Sequence, residues 1–267
     1  MPTATASGTT VPYLRQGSGL GLLLLHGTNS DGATGFGPVI DRFTDQRTVL
    51  APDYAGSGGS TVPDGPLDLD LLTTQAAAVI TDAATGPVDV VGVSLGAVVA
   101  AATAAAHPHL VRRLVLVAGW VSSDDPRHRL VFQTWRTLEA SDPALATAFG
   151  LSLALSPGFL AGLGHERVAQ FIQRRSPDGT AARIELGQRV DLRNRLPQIS
   201  APTLVIGLTQ DNLVPAAHAR AMHQAIPHSR YTEIDSGHAV VLEQPDQFVR
   251  HVRDFVLDEP DPTATRR

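Results

Sequence analysis

The chain has 267 residues, 43% of them hydrophobic and 18% charged, enough apolar material for one large core or a core with an inserted subdomain. Its net charge of −5, with no basic stripe to offset it, argues against a nucleic-acid partner. The lack of cysteine excludes a disulfide framework, a thiol nucleophile and a thiolate metal site. No stretch approaches the roughly 20 apolar residues that span a bilayer, and residues 1–7 carry no basic, apolar leader, so a soluble protein of the cytoplasm is expected.

In chain order, short apolar runs recur at residues 22–25, 48–51, 88–93, 114–118, 203–207 and 231–234, with helical patterns between them. This alternation predicts an α/β fold, a mainly parallel sheet with helices on both faces. The alternation breaks once. Residues 119–202 show no convincing strand but three helix starts, Asp125-Pro126, Asp142-Pro143 and Ser156-Pro157, each a capping residue before a proline suited to the first helical turn. The expected organisation is a core of residues 1–120 and 199–260, a helical lid of residues 121–198 emerging from it, and a flexible tail over 261–267. Leu130, Val131, Trp135 and Leu138 keep one lid face apolar, as do Phe171 and Ile172 later on; they can glue the lid to the body or line a pocket. The acidic stretch Asp258-Glu259-Pro260-Asp261-Pro262 reads as a frayed end.

The run at 88–93 leads directly into Gly92-Val93-Ser94-Leu95-Gly96, a complete G-x-S-x-G, and then into the small-residue helix former Ala97-Val98-Val99-Ala100. Strand, sharp turn and helix follow in order, which holds a serine hydroxyl out above the sheet. A serine hydroxyl is a poor nucleophile at neutral pH and needs a base, and the base needs an orienting acid. Asp211 follows the run at 203–207 and His238 follows the run at 231–234, so both lie in loops leaving the same sheet edge as Ser94. Ser, Asp, His is the order that goes with this elbow.

With these residues in place the chain resembles the α/β-hydrolase superfamily, in its lidded serine-hydrolase branch of esterases, thioesterases and lactonases. The resemblance rests on His26-Gly27 after an apolar strand, Asp53 before Gly56-Ser57-Gly58-Gly59-Ser60, the elbow at Ser94, Asp211 before Val214-Pro215, and Gly237-His238 before Glu243-Gln244-Pro245. It implies an oxyanion hole made by the backbone N–H groups of Leu95 and Thr28, on a short His-Gly-x loop rather than a three-glycine run. It also implies that His26 orders that loop and that Asp53 stabilises a loop rather than serving as a second acid. Gly32, Gly35 and Gly37 are expected to leave the rest of the oxyanion loop flexible.

Each assignment has a competitor. Some family members carry the acid one strand earlier, where Asp124 stands, but Asp124-Asp125-Pro126 is also a ready helix cap, and Asp211 is preferred. Of the ten histidines, only His238 has the context of a base. No pair has the H-E-x-x-H spacing of a zinc site and no G-x-x-x-x-G-K-[ST] loop is present, so neither a metal nor a cofactor is expected. The expected activity is cofactor-independent hydrolysis of a carboxylic ester, thioester or lactone through an acyl-enzyme on Ser94. The rivals are a C–C bond hydrolase with the same triad and a small-ligand-binding protein on the same fold. Epoxide hydrolysis and dehalogenation are disfavoured because the elbow holds Ser94, not an aspartate. A small apolar ester or thioester is the expected partner, with Trp120, Phe132, Trp135 and Phe159 as candidate substrate-binding residues and Tyr54 as a further one just after a strand.

Overall fold

The structure, a computed structural model, describes residues 1–61, 64–174 and 176–257. Its strands are β1 (Thr3–Ala6), β2 (Thr9–Gly17), β3 (Leu20–Leu25), β4 (Arg47–Pro52), β5 (Val88–Val93), β6 (Val111–Val117), β7 (Thr203–Leu208) and β8 (Arg230–Ile234). They form one sheet in the order β1-β2-β4-β3-β5-β6-β7-β8, parallel except for the antiparallel pairs β1–β2 and β2–β4. The helices are α1 (Gly32–Phe36), α2 (Leu69–Ala83), α3 (Leu95–Ala106), α4 (Pro126–Ser141), α5 (Pro143–Ala154), α6 (Pro157–Ile172), α7 (Thr180–Gly187), α8 (Ala216–Ala225), α9 (Val240–Glu243) and α10 (Pro245–Leu257). The acidic stretch from Asp258 and the expected tail at 261–267 lie outside the described residues.

The unbroken apolar runs arise because both faces of the parallel strands are covered. In β3, Leu23 and Leu25 join a core that includes Leu72, Val98 and Met222, from α2, α3 and α8. Leu22 and Leu24 join a second core with Phe36, Phe248 and Val252, from α1 and α10. β6 divides in the same way, Leu114 and Leu116 to the first core and Val115 and Val117 to the second. Period-two side-chain alternation across a sheet buried on both sides gives this pattern.

The two amino-terminal strands were not expected from the apolar runs. β2 carries Pro12 and polar alternate positions, and only Val11 and Tyr13 along it are buried, which is the pattern of a strand near a sheet margin. Between β6 and β7 the chain forms α4 to α7. Asp125 caps α4 by accepting the His128 N–H at 2.7 Å, Asp142 caps α5 by accepting that of Leu145 at 3.0 Å, and Ser156 caps α6 by accepting that of Phe159 at 3.3 Å. Each of these three helices, α4, α5 and α6, begins with a proline at its first position, where a missing N–H costs nothing.

Candidate active site

The carboxyl ends of β5 to β8 lie on one side of the sheet: β5 and β6 end together at the pair Val93–Val117, which is in register with Ile206 and Thr232, and β7 and β8 run two residues further to the pair Leu208–Ile234. The loops leaving them therefore emerge on one edge. Ser94 is the first residue beyond β5, with its N–H donated to the Val117 carbonyl at 2.9 Å. Its backbone stands at φ 60°, ψ −123°, a conformation that side-chain-bearing residues seldom adopt. The turn holds because strand and helix nearly touch: a Cβ at Gly92 would fall 2.2 Å from the Gly96 carbonyl oxygen, and one at Gly96 would fall 1.9 Å from that of Leu25. The two glycines of the elbow are thus required by contact, and the strained serine sits between them.

Asp211 and His238 meet at that edge. His238 Nδ1 lies 2.6 Å from Asp211 Oδ2, while Asp211 Oδ1 accepts the backbone N–H groups of Leu213 and Val214, each at 2.8 Å. A carboxylate only accepts, so Nδ1 carries the proton and Nε2 is left with its lone pair. The Asp211 side chain is fully buried and that of His238 is 11% exposed. Asp124, the competing acid, is out in solvent, paired with Arg129 at 2.7 Å and Arg193 at 3.0 Å, while its neighbour Asp125 caps α4.

The loop after β3 lies against the nucleophile, since a Cβ at Gly27 would stand 3.7 Å from Ser94 Oγ. Among the described residues neither the Thr28 nor the Leu95 N–H has a protein acceptor, and Leu95 opens α3, where the helix dipole favours negative charge. The peptide that carries the Thr28 N–H is fixed from its other end, because His26 Nδ1 lies 2.8 Å from the Gly27 carbonyl oxygen. That oxygen can only accept, so Nδ1 carries the proton; Nε2 lies 3.0 Å from Ser57 Oγ, whose hydroxyl donates to the Tyr54 carbonyl at 2.7 Å. Burial, and after it the neighbouring Arg183 charge, lowers the His26 pKa to about 3, so the ring is neutral in this role.

Two expectations change here. Gly32 and Gly35 lie in α1 rather than in a flexible loop. Asp31 caps that helix at the Thr34 N–H (2.7 Å), and Asp53 holds its start by accepting the Gly32 N–H at 2.9 Å while also accepting that of Gly59 at 3.0 Å. Gly37 is its C-terminal cap, in right-handed helical backbone. Tyr54 does not line a pocket: it is buried, stacked on His26 at 4.0 Å, and its hydroxyl donates to the His26 carbonyl.

Of the candidate substrate-binding residues, Trp120, Phe132 and Trp135 form one buried aromatic group, with Phe132 5.7 Å from Trp120 and 5.9 Å from Trp135 between ring centres. His128 stacks on Phe132 at 4.1 Å. Phe159 is not part of that group; it stands half-buried in the first turn of α6. Three residues to which the sequence assigned no role also reach the site. Glu243 binds the His238 loop, Arg127 donates to the Asn212 carbonyl beside the acid, and Arg183 of α7 donates to the Thr28 carbonyl at 2.7 Å. Only Glu243 had a sequence signal, its place in Glu243-Gln244-Pro245 after the histidine.

A mainly parallel sheet with a serine elbow after a central strand, and an acid and a histidine at the same edge, is the architecture of an α/β hydrolase. Residues 22–251 match the model of the alpha/beta hydrolase family, and the chain belongs to that family. It is similar to the pyrrolizixenacetamide deacetylase of Xenorhabdus hominickii, 36% identical over 256 residues that cover 94% of this chain and 96% of that one. It is also similar to the pimeloyl-[acyl-carrier protein] methyl ester esterase of Xanthomonas oryzae pv. oryzae, 31% identical over 265 residues, 91% of this chain and 98% of that one. Among solved structures, the enol-lactonase of Burkholderia xenovorans LB400 superposes with a TM-score of 0.86 at 23% identity, covering 96% of this chain and all of that one, which speaks for the fold. The protein is a hydrolase. No described helix is long and apolar enough to cross a membrane.

Proposed function

We propose that the protein cleaves a carboxylic ester, thioester or lactone through an acyl-enzyme on Ser94. The observation that carries this reading is the 2.6 Å pair of Asp211 and His238 at the edge where the strained Ser94 stands. His238 Nε2 takes the Ser94 proton as Oγ bonds to the acyl carbon. The carbonyl oxygen becomes an oxyanion held by the Leu95 and Thr28 N–H groups, and the proton passes from His238 to the leaving alkoxide or thiolate as its bond to carbon breaks. Water then attacks the acyl-enzyme with His238 again as base, Ser94 recovers its proton, and the carboxylic acid leaves. Asp211 holds the imidazole in the tautomer this needs and stabilises the imidazolium.

A second substrate class follows from the 36% identical relative, whose name makes it the deacetylase of an acetamide. The same steps with an amine as leaving group cleave an N-acetyl amide, so simple acetamides belong in the substrate panel. The helical segment at 121–198 acts in this reading as the lid over the acyl site, with α5 tied to both reacting loops: the Asn212 N–H donates to the Leu153 carbonyl at 3.1 Å and the Ala239 N–H to that of Ala154 at 3.4 Å.

The test is a panel of esters, thioesters, lactones and N-acetyl amides read by acid release, with Ser94→Ala run on every hit, together with fluorophosphonate labelling mapped by mass spectrometry. The label is expected on Ser94, with activity down at least about a thousandfold in Ser94→Ala. Labelling that persists at another serine in that variant would remove Ser94 as the nucleophile, and single-turnover labelling without steady-state hydrolysis would favour a binding protein.

A further inference from the structure

Arg183 is fully buried, with 0% of its surface exposed. Its Nε donates to the Thr28 carbonyl at 2.7 Å, Nη1 to the Ala55 carbonyl at 3.3 Å and Nη2 to Thr180 Oγ1 at 3.3 Å. Among the described residues no carboxylate lies within ion-pair distance of it; Asp31 and Asp53 act on it only through space. A cation taken out of water with carbonyl dipoles and a hydroxyl as its only direct partners is expensive, and folds seldom keep one where a leucine or methionine would pack as well.

Its placement gives a reason to keep it. α7 comes from the helical segment between β6 and β7, yet its first turn is driven in against the loops of the core. A Cβ at Gly179 would fall 2.7 Å from Gly56 Cα, and Thr180 Oγ1 stands 3.4 Å from Asn29 Oδ1. The guanidinium thereby joins the loop of residues 26–29 to the loop of residues 53–57. These loops also meet through the Tyr54 hydroxyl on the His26 carbonyl. The residue gripped at 2.7 Å is the one whose own N–H is the second oxyanion donor in the reading above. His26 fixes the peptide on the amino side of Thr28 and Arg183 fixes the peptide on its carboxyl side.

We propose that Arg183 is a positioning residue for the oxyanion hole. The lid reaches back beneath the oxyanion loop, sets the orientation of Thr28 through its carbonyl, and leaves an unneutralised positive charge behind the point where negative charge develops. This rests on the acyl-enzyme reading of Ser94. A neutral ester gains little from that charge, whereas the tetrahedral oxyanion gains from both the charge and the fixed N–H, so the effect falls on kcat rather than KM. Lysine keeps the charge but loses the planar fork that spans two carbonyls, so it restores only part.

The experiment compares wild type, Arg183→Lys and Arg183→Met, each well below its melting temperature. The readouts are kcat and KM on the best ester of the panel, inhibition by a trifluoromethyl ketone, and amide hydrogen exchange in residues 26–30. The ketone bonds reversibly to serine and leaves an oxyanion in the hole. Arg183→Met is expected to lower kcat by about a hundredfold, the scale of one lost oxyanion donor. KM should hold within about threefold, ketone affinity should fall by the same factor as kcat, and exchange in the 26–30 segment should quicken. Arg183→Lys should fall between, and it carries the test alone if the methionine variant does not fold. A variant that melts earlier or exchanges faster but keeps kcat and ketone affinity would reduce Arg183 to a structural clamp and overturn the proposal. If wild-type protein forms no ketone adduct on Ser94, the acyl-enzyme reading itself fails, and the role of Arg183 falls with it.

Discussion

Glu243 and Ser156, 87 residues apart, are joined by a 3.0 Å hydrogen bond from the Ser156 N–H to Glu243 Oε1. The other oxygen of the same carboxylate accepts the Gly237 N–H at 3.1 Å. One side chain therefore ties the residue before His238 to the residue that caps α6. The packing is close, since a Cβ at Gly237 would fall 2.5 Å from both the Ser156 nitrogen and Glu243 Oε1. The loop of the candidate base and the entry to α6 are thus joined through one carboxylate.

Glu243→Gln keeps one oxygen but turns an NH2 toward one of the two N–H groups, leaving a donor without an acceptor. A loss of about 1–3 kcal/mol in stability is expected, together with a drop of about tenfold in kcat as His238 is less well held. The rate of fluorophosphonate labelling, measured well below the melting temperature, separates the two effects. A labelling rate equal to wild type would leave Glu243 with a structural role only.

The acid is decided by two amide substitutions. Asp211→Asn preserves the shape of the pocket but lets an NH2 face His238 Nδ1, favouring the wrong tautomer, so turnover should fall by up to about ten-thousandfold with the fold intact. Asp124→Asn removes only exposed ion pairs to Arg129 and Arg193, so turnover should stay within about twofold and stability within about 1 kcal/mol. Steady-state kinetics with circular dichroism checks both. A crippled Asp124→Asn beside a mild Asp211→Asn would move the acid to the loop after β6.

His26 makes stability depend on pH in a stated direction. Unfolded, an imidazole takes a proton near pH 6.5, whereas buried His26 resists it down to about 3. Between those values the unfolded chain binds more protons, so this contribution is fully present above about pH 6.5 and is lost as pH falls toward 3. At pH 5 the loss is about 2 kcal/mol from this group alone. Urea unfolding at pH 7 and pH 5 measures it. In His26→Asn the stability at pH 7 should drop and the difference between the two pH values should shrink by about that amount; an unchanged difference would mean that His26 is not the group responsible.

Much of this site was legible because its chemistry is local. Ser94 announces itself through Gly92 and Gly96, Asp211 and His238 through the strand that precedes each, and the starts of α4, α5 and α6 through a capping side chain followed by proline. What could not be read depends on the folded arrangement. Arg183 and Thr28 meet across 155 residues, and an arginine in a helical pattern looks like solvated surface until α7 is placed on the core. Tyr54 was expected to select substrate because it follows a strand, but the direction of its hydroxyl was decided by where His26 lay. β1 and β2 were missed for a different reason: strands near the sheet margin are buried at few positions, so they lack the apolar run that marks a central one.

The same distinction sharpens the expectation for the lid aromatics. Phe132 and Trp135 are packed in the first core, 1% and 6% exposed, so replacing Phe132 by alanine should cost about 3–5 kcal/mol and lower the melting temperature sharply. Phe159 is half-buried on the first turn of α6, three residues beyond Ser156, whose backbone N–H is held by the carboxylate that also holds the His238 loop. A side chain there can change the fit of an acyl or alcohol group with little effect on the core, at about 0.8 kcal/mol for each methylene it covers. Phe159→Ser should therefore reorder kcat/KM across a series of esters of increasing chain length, weakening the longer members most, while the melting temperature shifts little. Phe132→Ala should show the reverse, a large thermal shift with the ranking of surviving activities less disturbed. Measuring both quantities on both variants decides it. A ranking unchanged in Phe159→Ser would remove α6 from substrate selection and leave the aromatic residues of this segment as packing alone.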